Sequence, residues 1–514
     1  MKTEKHWEIV GLKTHNGINV PLFSLWSKKS CGIGEFTDLI PLIYWCKAVG
    51  FDVIQLLPLN DTGQESSPYS ALSAFALNPI HLSLHRLPFA EETELKKFLP
   101  LNQEKRVDYK KVRALKEAFL RDYYKKHGQD LMQLPYFCQF RDENPWLESY
   151  ALFKALRIEQ DWKSFEHFSK EWQKPTLFGY TELLHVYKQE VDFHIFIQYL
   201  CFKEMQEVKK IAAENNIFLM GDIPILINRD SADVWMERHL FSLDYSAGAP
   251  PDMYNQEGQN WGFPIYNWQE MEKENYEWWK IRLKTAEKLY DIYRLDHIAG
   301  FFRIWSIPSH TSARNGFYIP GDDEAAKNQG EKILSMLLDS CTMLPIGEDL
   351  GNVPDFIRDS MQKLGIPGTK IMRWERVWKE DGRFIEGKDY PPLSLTSVST
   401  HDSETLLLWW KEREEEASLY ARSQKFPYNK KLSMQQQMGI LKTSLHTKSL
   451  FHINLLQEYL SLIKDFTADN MEDERVNVPG IVSDKNWTCR YPSPIEEIVE
   501  NQELKNIIQT LLSL

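Results

Sequence analysis

Six short apolar runs along the chain have the composition of buried β-strands. They span residues 51–57, 217–223, 292–296, 343–348, 369–373 and 393–400. Helical patterns lie between them. In 37–50, apolar residues recur among polar ones, and the pattern ends at Gly50, just before the first strand. This alternation of strand and helix predicts a parallel sheet wound with helices.

Acidic residues at the ends of these runs favour a closed barrel over an open sheet. Asp296, Glu348 and Asp402 each follow an apolar run, and candidate site residues come from at least four strand ends spread along the chain. The carboxyl ends of barrel strands meet on one face, where barrel enzymes hold their chemistry. A doubly wound open sheet holds its ligand at a crevice where the strand order reverses. We therefore predict the α/β class and a (β/α)8 TIM barrel.

Two long charged segments predict helical additions to this barrel. Residues 84–210 have helical patterning between two predicted strands, which indicates a helical insertion. Residues 406–464 form a second charged, helix-like segment after the last of the six runs. The sequence contains no internal repeat or flexible linker. We therefore predict one catalytic barrel domain covering residues 1–514.

Composition and charge limit the classes of function. The 514 residues are 43% hydrophobic and 26% charged, an ordinary globular balance. The formal net charge of −12 argues against a nucleic-acid partner, which requires clustered positive charge, and suits a neutral substrate. The 17 Trp, 22 Tyr and 27 Phe include rings that can stack on the C–H faces of sugars, although we expect most of them in the core.

Cysteine usage and the N-terminal sequence predict a cytoplasmic protein. The six cysteines are scattered, which predicts reduced core thiols rather than a disulfide framework. The start of the chain lacks the apolar stretch of a signal peptide, and no run of about 18 apolar residues predicts a membrane span. The sequence has no His-Glu-x-x-His motif and no calcium loop of the EF-hand kind, so we expect no metal or cofactor, with an irregular structural metal left open.

The acids at the strand ends suit cleavage of a glycosidic bond with retained stereochemistry. This chemistry needs an ionised carboxylate that attacks the anomeric carbon and a protonated acid that assists the leaving oxygen. Arg294 lies two residues before Asp296, and its charge favours an ionised nucleophile. Glu348 follows apolar residues that favour the protonated acid, while His401 and Asp402 can bind sugar hydroxyls. Any one acid alone is better explained as a helix cap, so the hypothesis depends on the set.

A set of motifs in a fixed order gives the sequence a family resemblance. The motifs are SPYS at 67–70, SAFALNP at 73–79, GDIPI at 221–225, SADVW at 231–235, PPD at 250–252, GQNWG at 258–262, RLDH at 294–297, GEDLG at 347–351, THD at 400–402 and NVPG at 477–480. Together they make the chain similar to the 4-alpha-glucanotransferases, the amylomaltases or disproportionating enzymes of glycoside hydrolase family 77. A single motif would be weak support, but the ordered set spans most of the chain.

This resemblance implies a barrel with helical insertions, no cofactor, and retaining transfer of α-1,4-glucan segments through a covalent glycosyl-enzyme intermediate. The donor would be a malto-oligosaccharide or maltose, and the acceptor a glucan or glucose. Asp296 would be the nucleophile, Glu348 the acid/base and Asp402 the transition-state stabiliser. A loop at about 246–268 would cover the substrate. The implied substrate-binding residues are Tyr69, Asp222, Asp252, Trp261, Arg294, His401 and Asn477.

Local sequence narrows the resemblance further. Residues 298–305, 373–376 and 403–405 are most similar to the plant-type, maltose-using disproportionating enzymes. The expected partners are α-1,4-glucans and malto-oligosaccharides in glycogen or maltodextrin turnover, with no nucleic-acid or membrane partner; the sequence does not predict an oligomeric state. Two alternatives stay open at this point: an α-glucan hydrolase of the same barrel class, and a non-catalytic glucan-binding protein.

Overall fold

Eight parallel strands form a barrel at the centre of the protein. The computed structural model describes residues 1–251, 256–378 and 380–513. The strands are β1 (His15–Val20), β2 (Val53–Leu56), β3 (Phe218–Ile223), β4 (Phe241–Ala249), β5 (Gln259–Tyr266), β6 (Ile292–Leu295), β7 (Ile304–Pro308), β8 (Phe317–Ile319), β9 (Leu344–Gly347), β10 (Gly368–Ile371), β11 (Ser394–Ser397) and β12 (Phe451–Leu455). Eight of them pair in the order β10-β11-β12-β1-β2-β3-β6-β9. The end strands meet where the Gly347 N–H donates to the Pro367 carbonyl at 2.8 Å, so the sheet is nearly closed and the predicted barrel is confirmed.

The sequence pattern finds six barrel strands and misses β1 and β12. Both contain polar residues that are buried and hydrogen-bonded, which a search for apolar runs passes over. The ring of His15 in β1 lies 2.8 Å from Asp52 Oδ2. The side chain of Asn454 in β12 accepts from the Val398 N–H at 2.9 Å. Because β12 lies inside the segment 406–464, the prediction of a helical segment there is correct only in part.

Helices connect the strands and fill the segment between β2 and β3. The helix Leu39–Val49 matches the pattern at 37–50 and ends at Gly50, whose φ of 100° is a left-handed conformation that suits glycine. The α-helices of the described residues are Glu4–Val10, Leu39–Val49, Glu92–Leu95, Tyr109–Tyr123, Gln129–Leu131, Pro135–Asp142, Trp146–Glu159, Lys170–Gln173, Leu177–Val186, Lys188–Glu214, Ala232–Met236, Trp268–Lys273, Glu277–Glu287, Ala299–Phe302, Asp323–Ser340, Asp355–Leu364, Leu406–Glu412, Glu414–Ser423, Met434–Leu445, Leu456–Leu460, Ile495–Glu500 and Gln502–Leu512. None of them is long and apolar enough to cross a membrane.

A smaller antiparallel sheet is formed by segments that follow the carboxyl ends of two barrel strands. Its order is β5-β4-β7-β8, with β4 and β5 following β3 in the chain and β7 and β8 following β6. The β4–β5 pair includes most of the segment 246–268. Asp252, which we predicted to bind substrate, lies outside the described residues. The sheet therefore stands on the barrel face where the predicted active site lies.

The N-terminal helix Glu4–Val10 closes the opposite end of the barrel. Its Trp7 is buried in an apolar cluster with Val53, Ile292, Leu344 and Phe451, which are the first residues of β2, β6, β9 and β12. The Trp7 and Phe451 rings lie 5.8 Å apart. The helix thus fills the amino-terminal opening that the strands alone leave.

We expect Trp7→Ala to destabilise the protein by about 3–5 kcal/mol, because it leaves a cavity that the rigid barrel cannot refill. The midpoint of urea unfolding measures this change. Ile9→Ala is the control, since Ile9 lies on the same helix but is 51% exposed. An equal shift of the midpoint in both variants would contradict the sealing role of Trp7.

Candidate active site

Arg294 is the centre of a carboxylate cluster at the mouth of the barrel. Its Nη1 lies 2.9 Å from both carboxylate oxygens of Asp222 and 3.0 Å from Asp296 Oδ1. Its Nη2 lies 3.8 Å from Glu348 Oε2. One guanidinium therefore faces three carboxylates, which come from the neighbouring strands β3, β6 and β9.

Strand pairing explains how these residues meet. Asp222 and Arg294 are direct partners in the pairing of β3 with β6. Asp296 lies two residues beyond Arg294, so both side chains leave the strand on the same side. The hydrogen-bond ladder continues past the strand ends, because the Asp296 N–H donates to the Ile223 carbonyl at 3.3 Å and the Glu348 N–H to the Leu295 carbonyl at 2.9 Å. These backbone hydrogen bonds therefore fix the main-chain positions of Asp296 and Glu348.

Two backbone groups hold the Glu348 carboxylate. The His297 N–H donates to Oε2 at 2.8 Å, and the Leu350 N–H donates to Oε1 at 3.0 Å. His297 has a φ of 41°, which non-glycine residues rarely adopt. Burial raises the pKa of Glu348 to about 7; the charge of Arg294 opposes this shift and that of Asp296 adds to it. A carboxyl that titrates near neutral pH can serve as both acid and base.

Tyr69, Asp222 and His401 make a second group of contacts beside Arg294. The Tyr69 hydroxyl donates to Asp222 Oδ2 at 2.7 Å and lies 3.0 Å from His401 Nε2. The Tyr69 and His401 rings stack with centroids 5.5 Å apart. Burial raises the pKa of Asp222, although Arg294 acts in the opposite direction. The Asp222 side chain is fully buried, so it serves to fix Arg294 and Tyr69.

Asp402 is the most exposed carboxylate of the cluster, with 44% of its side chain accessible. The Asn477 amide donates to its Oδ1 at 2.6 Å, and His401 Nε2 lies 3.3 Å from its Oδ2. Burial opposes ionisation, but the charge of His401 and the hydrogen bonds from His401 and Asn477 lower the pKa of Asp402 to about 2. Asp402 is therefore ionised at neutral pH and open to a ligand.

Trp261 and Trp487 supply aromatic rings next to the cluster. The Trp261 ring, on β5, meets the His297 ring edge-on at 5.1 Å. The Trp487 ring lies 5.6 Å from Tyr69 and 5.9 Å from His401. Sequence analysis missed Trp487, because the only signal for it is a position ten residues after Asn477, with no motif of its own.

The structure brings most of the predicted site residues into one connected cluster. Its members are Tyr69, Asp222, Arg294, Asp296, Glu348, His401, Asp402 and Asn477. Trp261 adjoins it through His297. The catalytic and binding roles of these residues stay predictions.

Arg294 supplies a positive charge at the centre of the cluster. Across residues 1–251, 256–378 and 380–513, no group of three or more His, Cys, Asp or Glu side chains is arranged to hold a metal ion. The expectation that the protein uses no metal or cofactor stays a prediction.

A comparison with known families identifies the chain. A family model for glycoside hydrolase family 77, described as 4-alpha-glucanotransferase, matches residues 20–496. The chain belongs to the 4-alpha-glucanotransferase family. This membership confirms the family and the enzyme class that the ordered motifs predicted.

Individual relatives of this family agree with the assignment. A 4-alpha-glucanotransferase of Chlamydia muridarum (strain MoPn / Nigg) is 43% identical over 514 residues, covering 99% of this chain and 97% of its own. A 4-alpha-glucanotransferase of Oryza sativa subsp. japonica is 28% identical, covering 97% of this chain and 69% of its own. The amylomaltase from Streptococcus agalactiae, solved in complex with acarbose, has the same fold, with a TM-score of 0.84, 24% identity, and coverage of 98% of this chain and 99% of its own.

The raised pKa of Glu348 predicts how stability depends on pH in this family member. The folded protein holds the Glu348 proton up to a pH of about 7, whereas the unfolded chain loses it near the ordinary value of 4.5, so stability falls as pH rises between the two. Between pH 5 and pH 8, we expect the free energy of unfolding of Glu348→Gln to rise by as much as about 3 kcal/mol relative to that of the wild type. Melting temperatures at both pH values measure the gain.

Glu331→Gln is the control for this measurement. Burial opposes ionisation of Glu331, but hydrogen bonds from Ser360 and Lys363 lower its pKa, so this carboxylate is ionised in both states over the same pH range. The stability difference between Glu331→Gln and the wild type should therefore be constant. A constant stability difference between Glu348→Gln and the wild type as well would show that folding does not raise the pKa of Glu348.

Proposed function

We propose that the protein is a retaining 4-alpha-glucanotransferase in which Asp296 is the nucleophile, Glu348 the acid/base and Asp402 the transition-state stabiliser. The observation that carries the proposal is the guanidinium of Arg294, which faces Asp296 and Glu348 together while the pKa of Glu348 is raised to about 7. Two carboxylates in such different surroundings suit the two roles that retaining transfer requires.

In the first step, Glu348 gives its proton to the glycosidic oxygen while Asp296 attacks the anomeric carbon. The donor's leaving portion departs as an alcohol, and the remaining glucan is bonded to Asp296. In the second step, the ionised Glu348 takes the proton of an acceptor hydroxyl, whose oxygen displaces Asp296. Asp402, held by Asn477 and His401, lies open to stabilise the positive charge that develops on the sugar ring.

The remaining predicted residues would bind substrate around this pair. Tyr69 offers a ring that Trp487 and His401 support from neighbouring positions. Asp222 and Arg294 would keep the nucleophile oriented, because Asp222 is buried and holds Arg294 through both of its carboxylate oxygens. We retain Asp252 as a proposed contact of the covering segment 246–268, in which Trp261 is the described aromatic residue.

The substrates would be α-1,4-glucans and malto-oligosaccharides, with maltose as a further donor. Support comes from the family membership and from the neutral substrate that a net charge of −12 suits. We further propose that the protein acts in glycogen or maltodextrin turnover in the cytoplasm. Transfer rather than hydrolysis would follow from the segment 246–268, because a covering segment that excludes water protects a reactive intermediate.

We expect incubation with maltotriose to give a ladder of longer malto-oligosaccharides together with free glucose. Glu348→Gln should slow this reaction by about 10²- to 10⁴-fold, since it removes the acid that assists the leaving group. Chromatography of the products measures both. Glu204→Gln is the matched control, because Glu204 is also buried with a pKa raised to about 8 but lies outside the cluster.

Three outcomes would contradict the proposal in different ways. Products that are all shorter than maltotriose would identify a hydrolase. Unchanged turnover in Asp296→Ala would show that Asp296 is not the nucleophile. A wild type that binds oligosaccharides without converting them would be a glucan-binding protein.

Mass spectrometry gives a direct check of the covalent intermediate. With a maltosyl fluoride donor, whose leaving group needs little acid assistance, Glu348→Gln should carry a sugar on the peptide that contains Asp296.

We expect Trp261→Ala to raise the share of donor bonds that are hydrolysed rather than transferred, because the change removes the ring beside His297 and opens the site to water. The ratio of reducing ends formed to glucose released from maltotriose measures this share. Trp378→Ala is the control, since Trp378 is an exposed ring on the loop after β10. An unchanged ratio in Trp261→Ala would show that Trp261 does not keep water out of the site.

A further inference from the structure

A buried carboxylate surrounded by arginines lies two residues beyond Asp402. The side chain of Glu404 is 11% exposed. Arg413 Nη2 and Arg475 Nη1 each lie 3.3 Å from its Oε1. Arg373 lies 3.8 Å from its Oε2 and donates to its backbone carbonyl at 2.8 Å. A carboxylate with this many cationic partners is fixed in one orientation.

Arg475 links this carboxylate to the residue that holds Asp402. Its Nε donates to the backbone carbonyl of Asn477 at 3.1 Å, while its Nη1 faces Glu404. The Asn477 amide in turn donates to Asp402 Oδ1 at 2.6 Å. A continuous chain of contacts therefore runs from Glu404 through Arg475 and Asn477 back to Asp402.

Asn477 depends on such contacts because its segment has no regular structure. Residues 475–478 lie outside any helix or strand. The Trp487 N–H donates to the Val476 carbonyl at 2.8 Å, and the Val478 N–H donates to Asn486 Oδ1 at 3.1 Å. Those two bonds tie the segment to the turn at 486–487. The pair between Glu404 and Arg475 ties it to the loop after β11, which carries Asp402.

We propose that Glu404 and Arg475 are positioning residues that set the Asn477 amide against Asp402 and thereby orient this carboxylate during transfer. The inference rests on the proposed role of Asp402. If the pair is broken, the 475–478 segment keeps its bonds to residues 486–487, but the hydrogen bond between Asn477 and Asp402 no longer has the Glu404–Arg475 ion pair beside it to hold the segment against the β11 loop. The partly exposed Asp402 then loses the donor at Oδ1, and its oxygens no longer face the reacting sugar.

The matched variants Arg475→Gln and Arg413→Gln test the proposal. Both remove one cation at 3.3 Å from the same oxygen of Glu404, but only Arg475 also binds Asn477. We expect Arg475→Gln to lower kcat for maltotriose transfer by about 10- to 100-fold with little change in KM, because a small misplacement of a catalytic group has effects of this size. Arg413→Gln should keep kcat near the wild-type value.

A double-mutant cycle shows whether Arg475 acts through Asn477. In an Asn477→Ala background, Arg475→Gln should cost little further activity, since the contact that it supports is already absent. Glu404→Gln is a second variant that should show the same loss and the same non-additivity. Melting temperatures identify any variant that is lost through unfolding rather than through misplacement of Asp402.

Several results would overturn the proposal. Equal losses of kcat in Arg475→Gln and Arg413→Gln would do so, as would a wild-type kcat in Arg475→Gln. A double variant whose loss of activity equals the combined losses of Arg475→Gln and Asn477→Ala would also overturn it. Failure of the underlying mechanism looks different: Asp402→Asn would then transfer glucan as well as the wild type, whatever the arginine variants do.

Discussion

The largely buried guanidinium of Arg294, 14% exposed, is the constraint on which the candidate active site depends. Asp222, Asp296 and Glu348 come from three adjacent strands and converge on a small volume, where their charges repel one another. At an effective dielectric constant of about 20, two unit charges 4 Å apart interact by about 4 kcal/mol, so an unopposed cluster would splay or take up protons. Arg294 offsets this repulsion while burial still leaves the pKa of Glu348 near 7. The same cation thus permits one carboxylate to be charged beside another that keeps its proton.

The barrel supplies the placement that this balance requires. Parallel pairing puts Asp222 directly opposite Arg294, and the ladder beyond the strand ends places Asp296 and Glu348. Irregular segments then add the residues that no strand carries, such as Asn477 and Trp487, each held by side-chain contacts. Trp7 fills the amino-terminal opening of the barrel, while the acids of the candidate site lie at the carboxyl ends of the strands.

The sequence predicted those elements whose residue pattern has a single physical explanation. An apolar run that stops at an acid predicted β6 and β9, and the apolar residues before Glu348 correctly predicted a raised pKa for its carboxyl. It failed for β1 and β12, because polar residues such as His15 and Asn454 are buried there with partners that are distant in sequence. The same limit applies to Trp487, which reaches Tyr69 only through the tertiary fold. Ordered motifs identified the family, but no motif shows that Glu404 is surrounded by arginines.

The pairing of β1 with β12 has a consequence for how the chain is made. His15 is in register with Phe451, so the first barrel strand finds one of its two neighbours only after almost the whole polypeptide has left the ribosome. Until then β1 has an unsatisfied edge, and such edges attract other chains. Contacts so distant in sequence also slow folding. A nascent chain that stalls before residue 451 therefore lacks the strand that pairs with β1, and its barrel stays open.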